Sequence, residues 1–483
     1  MKVQDNPILL SGQAYKQLLC TIELLKDRVT KIEAENKVLQ AENKAFQAEN
    51  KALRERLNKD SSNSHKPPSS DGYKKEVKNN REKSGKRQGA QKGHQGKTLQ
   101  MVYNPDKVIE HKVQGHCQCG KDLEQAPVVR IERRQVFDLP EKLMEVIEHH
   151  VEIRQCGCGL VHQAECNAKG YTQYGTRIKS LAVYLNQYQF VPYERLQEFF
   201  EDVIGISISD GVLTGSSELL FEQLEKPEEQ IKKALQDSTV LHNDETGMRC
   251  SGKLHWIHSS STSHYTHYSI QQKRGKEGMD AIGILTNYKG ISVHDRWMPY
   301  DNYACTHALC NVHLLRELKY LKEEMGRQWA SKMIPLLVSA NNLKKENKLD
   351  ATAIHAVEEQ YKQIIEQGLA EEPSLTNPGI KKRGRIKKPK PLNLLEAFIN
   401  RKEQILRFVH NKDVPFDNNL AERDIRMVKL KQKISGCFRT LHGGEVFCRI
   451  RSYISTMRKQ GHGVLDAIEK ALLGTPIAIY QPC

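Results

Sequence analysis

The chain has 483 residues, a formal charge of +15 at pH 7 and twelve cysteines. This length is sufficient for two or more domains with a sizeable core, and the positive charge favours a polyanionic partner, most commonly nucleic acid. No run of about 18 apolar residues occurs, and the N-terminus lacks the apolar core of a signal peptide, so we predict a cytoplasmic protein with no membrane partner. In a reducing compartment, scattered cysteines favour a metal site and buried thiols over disulfides.

Residues 13–58 are predicted to form a coiled coil, because the heptads AENKVLQ, AENKAFQ and AENKALR follow one another from Ala34. Apolar residues recur at one core position: Leu18, Leu25, Ile32, Leu39, Phe46 and Leu53. The other core position includes Asn36, Asn43 and Asn50, which favour a parallel, in-register dimer because they can pair with each other. We therefore expect a homo-oligomer; a single long helix packed on its own domain is the alternative.

Residues 59–100 are predicted to be a disordered basic segment. Ser, Pro, Gly, Asn and Lys dominate it, and residues 65–98 contain ten Lys or Arg against three Asp or Glu. Such a composition cannot bury enough apolar surface to order itself. The segment is either a flexible linker or an arm that contacts DNA phosphates and orders on binding.

Residues 101–168 contain two short cysteine motifs, CQCG and CGCG, separated by strand-like sequence (RRQVFDLP and LMEVIEHHVEI). Two such motifs resemble the halves of a zinc ribbon, in which four thiolates bind one structural Zn²⁺ ion. The candidate zinc ligands are Cys117, Cys119, Cys156 and Cys158. His116 or Cys166 could substitute as a ligand, and a domain that has lost its metal is the alternative.

Residues 169–235 are predicted to form three short helices: TRIKSLAVYLNQYQ, PYERLQEFFEDVI and ISDGVLTGSSELLFEQL. The second and third are joined by a turn that contains Gly205, which is typical of a helix-turn-helix DNA-binding motif. A helical connector without a DNA-binding role would show a similar pattern.

A strand pattern follows, and residues 236–440 are predicted to form an α/β core. STVLHNDETGMRC, KLHWIHSSST and HYTHYSIQQ alternate like adjoining antiparallel strands, and a helical segment and the strand KGISVHD come next. Strand–strand–strand–helix–strand is the order of a ribonuclease-H-like, or retroviral-integrase-like, fold. Strands one and four are neighbours in that fold, so Asp244 and Asp295, near the ends of these strands, would lie together.

A third carboxylate occurs in VPFDNNLAERDIRMVKLKQK, residues 414–433, which reads as a helix that Asp417 or the two following asparagines can cap. Glu422 shares one helical face with cations four, seven and eleven positions later. These cations are Arg426, Lys429 and Lys433. A solvated surface helix with intrahelical ion pairs is the alternative.

Three carboxylates suit metal-dependent phosphoryl transfer. Mg²⁺ prefers hard oxygen ligands, and two such ions about 4 Å apart can activate an attacking hydroxyl and stabilise the leaving oxygen. Taken singly, Asp244 and Asp295 could be turn residues and Glu422 a salt-bridged surface group. In their joint secondary-structure context they indicate a metal-binding triad.

Asp295 and Glu422 are 127 positions apart, which is more than the bare fold requires. Most of the excess, at about 305–400, reads as helix and ends in KKRGRIKKPK, with seven cations in ten residues. We predict an α-helical insertion with a basic loop that covers the active site or grips DNA. Cys310 and His313 are a candidate metal half-site, for which a buried thiol and a polar helix residue are the alternative.

The sequence resembles the DDE transposases of the insertion-sequence-66 (IS66) family over nearly its whole length. The resemblance is carried by GAQKGHQG in the basic arm, LHNDETG around Asp244, HDRWMPYDNY around Asp295, ALCNVHLLREL, VPFDNNLAERDIRMVKLKQKISGCFRT around Glu422, and IRSYISTMRKQG. The last of these lies in a predicted helical tail, residues 441–483. The cysteine motifs depart from the family, whose members commonly have C-x-x-C.

The resemblance implies that Asp244, Asp295 and Glu422 bind two Mg²⁺ or Mn²⁺ ions. It also implies cleavage at the ends of an insertion sequence and transfer of the exposed 3′ hydroxyl into target DNA. Expected partners are the terminal inverted repeats, target DNA, further copies of the chain and accessory proteins of the same element, at the bacterial nucleoid. The candidate phosphate contacts are Arg423, Arg426, Lys429, Lys433 and Arg439. An inactive DNA-binding regulator and a nuclease without strand transfer are the alternatives.

Overall fold

The computed structural model describes residues 12–57, 99–140, 142–168, 170–372 and 388–480. The predicted basic arm and most of KKRGRIKKPK lie outside these residues. The chain divides into two compact units. The first unit comprises residues 1–77, 293–297 and 307–418, and the second unit comprises residues 78–292, 298–306 and 419–483.

The described residues contain seven strands in two sheets. A small sheet pairs β1 and β2, and the other five strands form the main sheet. The strands are β1 Ile153–Gln155, β2 Val161–Gln163, β3 Val240–Cys250, β4 Lys253–Ser261, β5 Thr266–Gln271, β6 Ile291–His294 and β7 Thr306–Leu309.

Helices account for most of the remaining structure. The helices are α1 Gly12–Leu57, α2 Thr176–Val183, α3 Tyr193–Phe199, α4 Asp210–Gln223, α5 Glu225–Gln236, α6 Lys276–Ile282, α7 Ile284–Asn287, α8 Asn311–Met325, α9 Gln328–Lys345, α10 Ala351–Glu371, α11 Lys390–Asn400, α12 Lys402–His410, α13 Asn419–Ser435, α14 Leu441–Lys459 and α15 Val464–Leu472. Single π-helical turns, Tyr184–Tyr188 and Phe200–Ile204, extend α2 and α3. None of the described helices is long and apolar enough to cross a lipid bilayer.

The main sheet has the strand order β5-β4-β3-β6-β7. Strands β3, β4 and β5 form an antiparallel meander in which Asp244 lies opposite Ser259. The amide of Asn243 donates to the hydroxyl of Ser292 at 2.9 Å, which joins β3 to β6. The first and fourth strands of the predicted core are therefore neighbours, as the sequence predicted.

One face of the β3–β5 meander packs against α13 and α14 in the second unit. The buried side chains of this core include Met248, Cys250, Ile257, Tyr268, Ile270, Ile425, Val428, Phe438 and Phe447. Because side chains alternate along a strand, Asp244 shares the face of Met248, and Glu245 lies on the opposite face. Asp244 and Glu245 are adjacent in the sequence but therefore lie on opposite faces of the sheet.

Helices α2, α3 and α4 form a separate small core, as the sequence predicted. Ala182, Leu196, Phe200, Ile208 and Leu213 are buried together. The Ser209 side chain caps α4 by accepting from the amide of Val212 at 3.4 Å. The sequence of α4, which would be the recognition helix, contains no Lys or Arg, so its DNA-binding role stays a prediction.

The strands predicted in RRQVFDLP and across LMEVIEHHVEI are wrong for most of their length. Of the described residues between 99 and 168, only β1 and β2 pair as strands. Val136 is 89% exposed, and the described residues around it have no regular secondary structure. Periodicity alone does not make a strand, because a strand also needs a partner for its backbone amides and carbonyls.

The first unit contains α1 and the helices of the predicted insertion. The 46-residue helix α1 exposes the apolar stripe that the heptads predict, including Leu25, Leu39 and Phe46. The insertion is helical from α8 to α12, but it is preceded by β7, a strand of the main sheet that the sequence did not predict. Trp329 and Phe398 are fully buried in the core of the helical insertion.

Candidate active site

Asp244 lies in the middle of β3, and the prediction that it ends its strand is wrong. The antiparallel register with β4 continues to Cys250, because Thr246, Gly247 and Met248 still pair across the ladder. One carboxylate oxygen of Asp244 accepts from the amide of Glu245 at 2.9 Å. Its side chain lies on the sheet face that α13 and α14 cover.

Asp295 directly follows β6 in the first unit. Its carboxylate accepts from the amide of Trp297 at 2.9 Å, and the neighbouring His294 ring contacts its carbonyl oxygen. His294 is fully buried and lies 3.0 Å from a ring nitrogen of His307. Asp295 as a whole is half-buried.

Glu422 occupies the first turn of α13, which begins at Asn419, within the segment where the sequence predicted the helix cap. Its side chain is only 12% exposed, and one oxygen accepts from Arg426 at 3.1 Å. Glu422 and Arg426 therefore share one helical face, and their ion pair is also what the alternative of a salt-bridged surface helix predicts. The negative charge at this end of the helix is favourable because the first-turn amides carry partial positive charge.

Asp424, two residues further along α13, is a half-buried structural carboxylate. One oxygen accepts from the hydroxyl of Ser261 at 2.6 Å, from that of Thr266 at 3.1 Å and from the ammonium of Lys459 at 2.7 Å. Its backbone oxygen also accepts from Tyr268 at 3.0 Å. Asp424 therefore fixes α13 on β4, β5 and α14, a role that sequence reasoning missed.

The candidate DNA contacts on and after α13 fall into two groups. The exposed cations are Arg423, Arg426, Lys433 and Arg439. Lys429 differs, because its ammonium donates to the carbonyl of Gly247 and to Gln432, and burial lowers its pKa. Lys429 thus anchors the helix to β3.

Each cysteine motif forms a tight turn in the second unit. The carbonyl of Cys117 accepts from Gly120 and that of Cys156 accepts from Gly159, both at 2.8 Å. Hydrogen bonds from Cys119 lower the pKa of the Cys117 thiol, and the second motif repeats this arrangement. Thiols within each motif are adjacent, but among the described residues the four do not form a cluster of ligand atoms within 4.8 Å.

Residues 171–446 match the model of the transposase IS66 family, which is more than half of the chain. The chain belongs to this family. The matched segment runs from the start of the helical region into α14 and includes all three predicted acids. Residues 21–100 of this IS66-family chain also match a family of unknown function (DUF6444). No curated protein matches it.

The structural role of Asp424 predicts a loss of stability on its substitution. Asp424→Ala leaves the buried ammonium of Lys459 without its carboxylate, which should lower the free energy of unfolding by about 3 kcal/mol. Denaturant unfolding measures the change. The matched control is Glu422→Gln on the same helix, which should change stability by less than about 1 kcal/mol because its partner Arg426 is exposed. Equal losses in the two variants would contradict this division of roles.

Proposed function

We propose that this transposase cleaves DNA at the ends of its insertion sequence and joins the exposed 3′ hydroxyl to target DNA, with Asp244, Asp295 and Glu422 as its catalytic carboxylates. The proposal is supported chiefly by one arrangement in the second unit. Asp244 projects from the face of β3 that α13 covers, and Glu422 lies in the first turn of α13. The strand order of the main sheet supports a ribonuclease-H-like core.

Three carboxylates form a donor set that fits Mg²⁺ or Mn²⁺, because both prefer oxygen ligands. When bound, a pair of these ions supplies Lewis-acid stabilisation of the attacking and leaving oxygens. Asp244, Asp295 and Glu422 would hold the pair. Arg426 balances the charge of Glu422 in the structure. Once a metal ion binds beside Glu422, the exposed guanidinium of Arg426 would contact a phosphate instead.

The reaction needs no nucleotide cofactor. In the first step water attacks the phosphorus of a phosphodiester at the end of the insertion sequence. The bond from phosphorus to the 3′ oxygen breaks, which leaves a 3′ hydroxyl on one side and a 5′ phosphate on the other. In the second step that hydroxyl attacks a phosphodiester of target DNA, so one bond forms while one breaks. The exposed Arg423, Arg426, Lys433 and Arg439 would contact phosphates, which predicts an affinity that falls steeply with salt.

The triad predicts separate effects on chemistry and on binding. Asp244→Asn, Asp295→Asn and Glu422→Gln should each lower cleavage and strand transfer by about a hundredfold or more, because several kcal/mol of transition-state stabilisation are lost. DNA affinity in a mobility-shift assay should stay within about twofold, since no phosphate contact is removed. Cleavage retained in any one variant would remove that residue from the triad, and lost DNA binding would indicate a structural role instead.

We also propose that the two cysteine motifs bind one structural Zn²⁺ ion. Elemental analysis of the purified chain should find about one zinc per chain, and Cys119→Ser and Cys158→Ser should each release it. Cys437→Ser is the matched control, since Cys437 is an exposed cysteine outside the motifs. A wild-type chain without zinc, or zinc retained in both variants, would overturn the site.

The exposed stripe of α1 is proposed to pair with a second copy of the chain. Leu25→Asp combined with Leu39→Asp places charges at two core positions of the heptad, so the molar mass in light scattering should fall to that of the 55.3 kDa chain. Leu24→Asp combined with Val38→Asp is the matched control, because these exposed apolar residues lie one position outside the stripe. An unchanged mass in the first variant would contradict the coiled coil.

A further inference from the structure

Glu245, the neighbour of Asp244 in β3, is a buried carboxylate with both oxygens engaged. Its side chain is 2% exposed. Two nitrogens of Arg274 donate to one oxygen at 3.1 and 2.8 Å, and the hydroxyl of Tyr300 donates to the other at 2.6 Å. Charge-assisted bonds of this geometry are among the strongest in proteins.

The partners of Glu245 come from two separate segments of the second unit. Arg274 lies between β5 and α6, and its guanidinium lies 4.8 Å from the centre of the Trp256 ring on β4. Tyr300 is buried in the 3₁₀ turn Met298–Asn302. Glu245 thus joins these two segments to the strand that carries Asp244.

Arg274 is the cation that balances Glu245. His258 lies directly opposite Glu245 in the ladder and is buried. Burial, with a smaller contribution from Arg274, lowers the pKa of His258 to about 4, so its ring is neutral at pH 7. The carboxylate of Glu245 therefore relies on one salt bridge and one hydroxyl.

We propose that Glu245 is a positioning residue for the metal site: through Arg274 and Tyr300 it fixes the segment of β3 from which Asp244 projects. The inference rests on the proposed role of Asp244. Glu245 does not bind the metal itself, because both of its oxygens accept hydrogen bonds on the opposite face of the strand. Partners that hold a ligand in place typically contribute 10- to 100-fold to metal affinity.

The test measures Mn²⁺ affinity by electron paramagnetic resonance in the presence of a DNA duplex. Glu245→Gln keeps the shape of the side chain but removes the charge that holds Arg274, and it should weaken Mn²⁺ binding about tenfold. Tyr300→Phe removes only the hydroxyl and should weaken binding by a few-fold. It also keeps the test decisive if the first variant folds poorly.

The matched control is Glu228→Gln. Glu228 on α5 is a carboxylate with 15% of its side chain exposed, and it too is bonded to an arginine, Arg449 at 2.6 Å, and to a second group, His267 at 3.1 Å. Its substitution should lower the melting temperature but leave Mn²⁺ affinity unchanged, which separates positioning of the metal site from a general loss of stability.

Asp244→Asn distinguishes failure of this inference from failure of the proposed function. If Asp244→Asn binds Mn²⁺ as tightly as the wild type does, Asp244 is not a metal ligand, and the proposed catalytic site is wrong. If Asp244→Asn loses Mn²⁺ while Glu245→Gln and Tyr300→Phe retain wild-type affinity, the positioning role alone is overturned. An equal loss of affinity in Glu228→Gln would also overturn it.

Discussion

One half-buried carboxylate, that of Asp424, fixes α13 on the main sheet together with the apolar core. Asp424 joins the helix to hydroxyls on β4 and β5 and to the ammonium of Lys459 on α14. A buried carboxylate is stable only when paired and hydrogen-bonded, so these contacts allow few other positions of the helix. Glu422, two residues earlier, is placed at the helix start by this attachment, with Ile425 and Val428 packed into the core below.

Two adjacent acids of β3, Asp244 and Glu245, lie on opposite faces of the sheet, because side chains alternate along a strand. Asp244 lies on the face that α13, the helix of Glu422, covers. Glu245 lies on the opposite face, where it is hydrogen-bonded to Arg274 and Tyr300. Arg274 balances the charge of Glu245 on the face away from Asp244. Two carboxylates on one surface would instead raise each other's pKa.

The sequence predicted the meander and the helices of the insertion, because alternation and helical spacing are local patterns. The neighbouring positions of strands one and four were predicted from the order of the elements, which is that of a ribonuclease-H-like fold. The choice of Glu422 over Asp424 came from the family resemblance. Helical spacing alone could not distinguish Glu422 from Asp424. The structural role of Asp424 depends on Ser261 and Thr266, which lie about 160 positions away along the chain. Glu245 was missed for the same reason: its partners are non-local. The alternating pattern of residues 133–140 and 143–152 does not form strands, because no neighbouring strand in the described part of the chain pairs with these segments.

The most direct test of the account is one incubation of the purified chain with Mg²⁺, labelled DNA from both flanks of its coding sequence, and a supercoiled plasmid. The account predicts cleavage at the flanks and covalent joining of the labelled 3′ ends to the plasmid. Cleavage without joined product would indicate a nuclease, and a mobility shift without cleavage would indicate a DNA-binding regulator. Either of these results would contradict the proposed transposition chemistry.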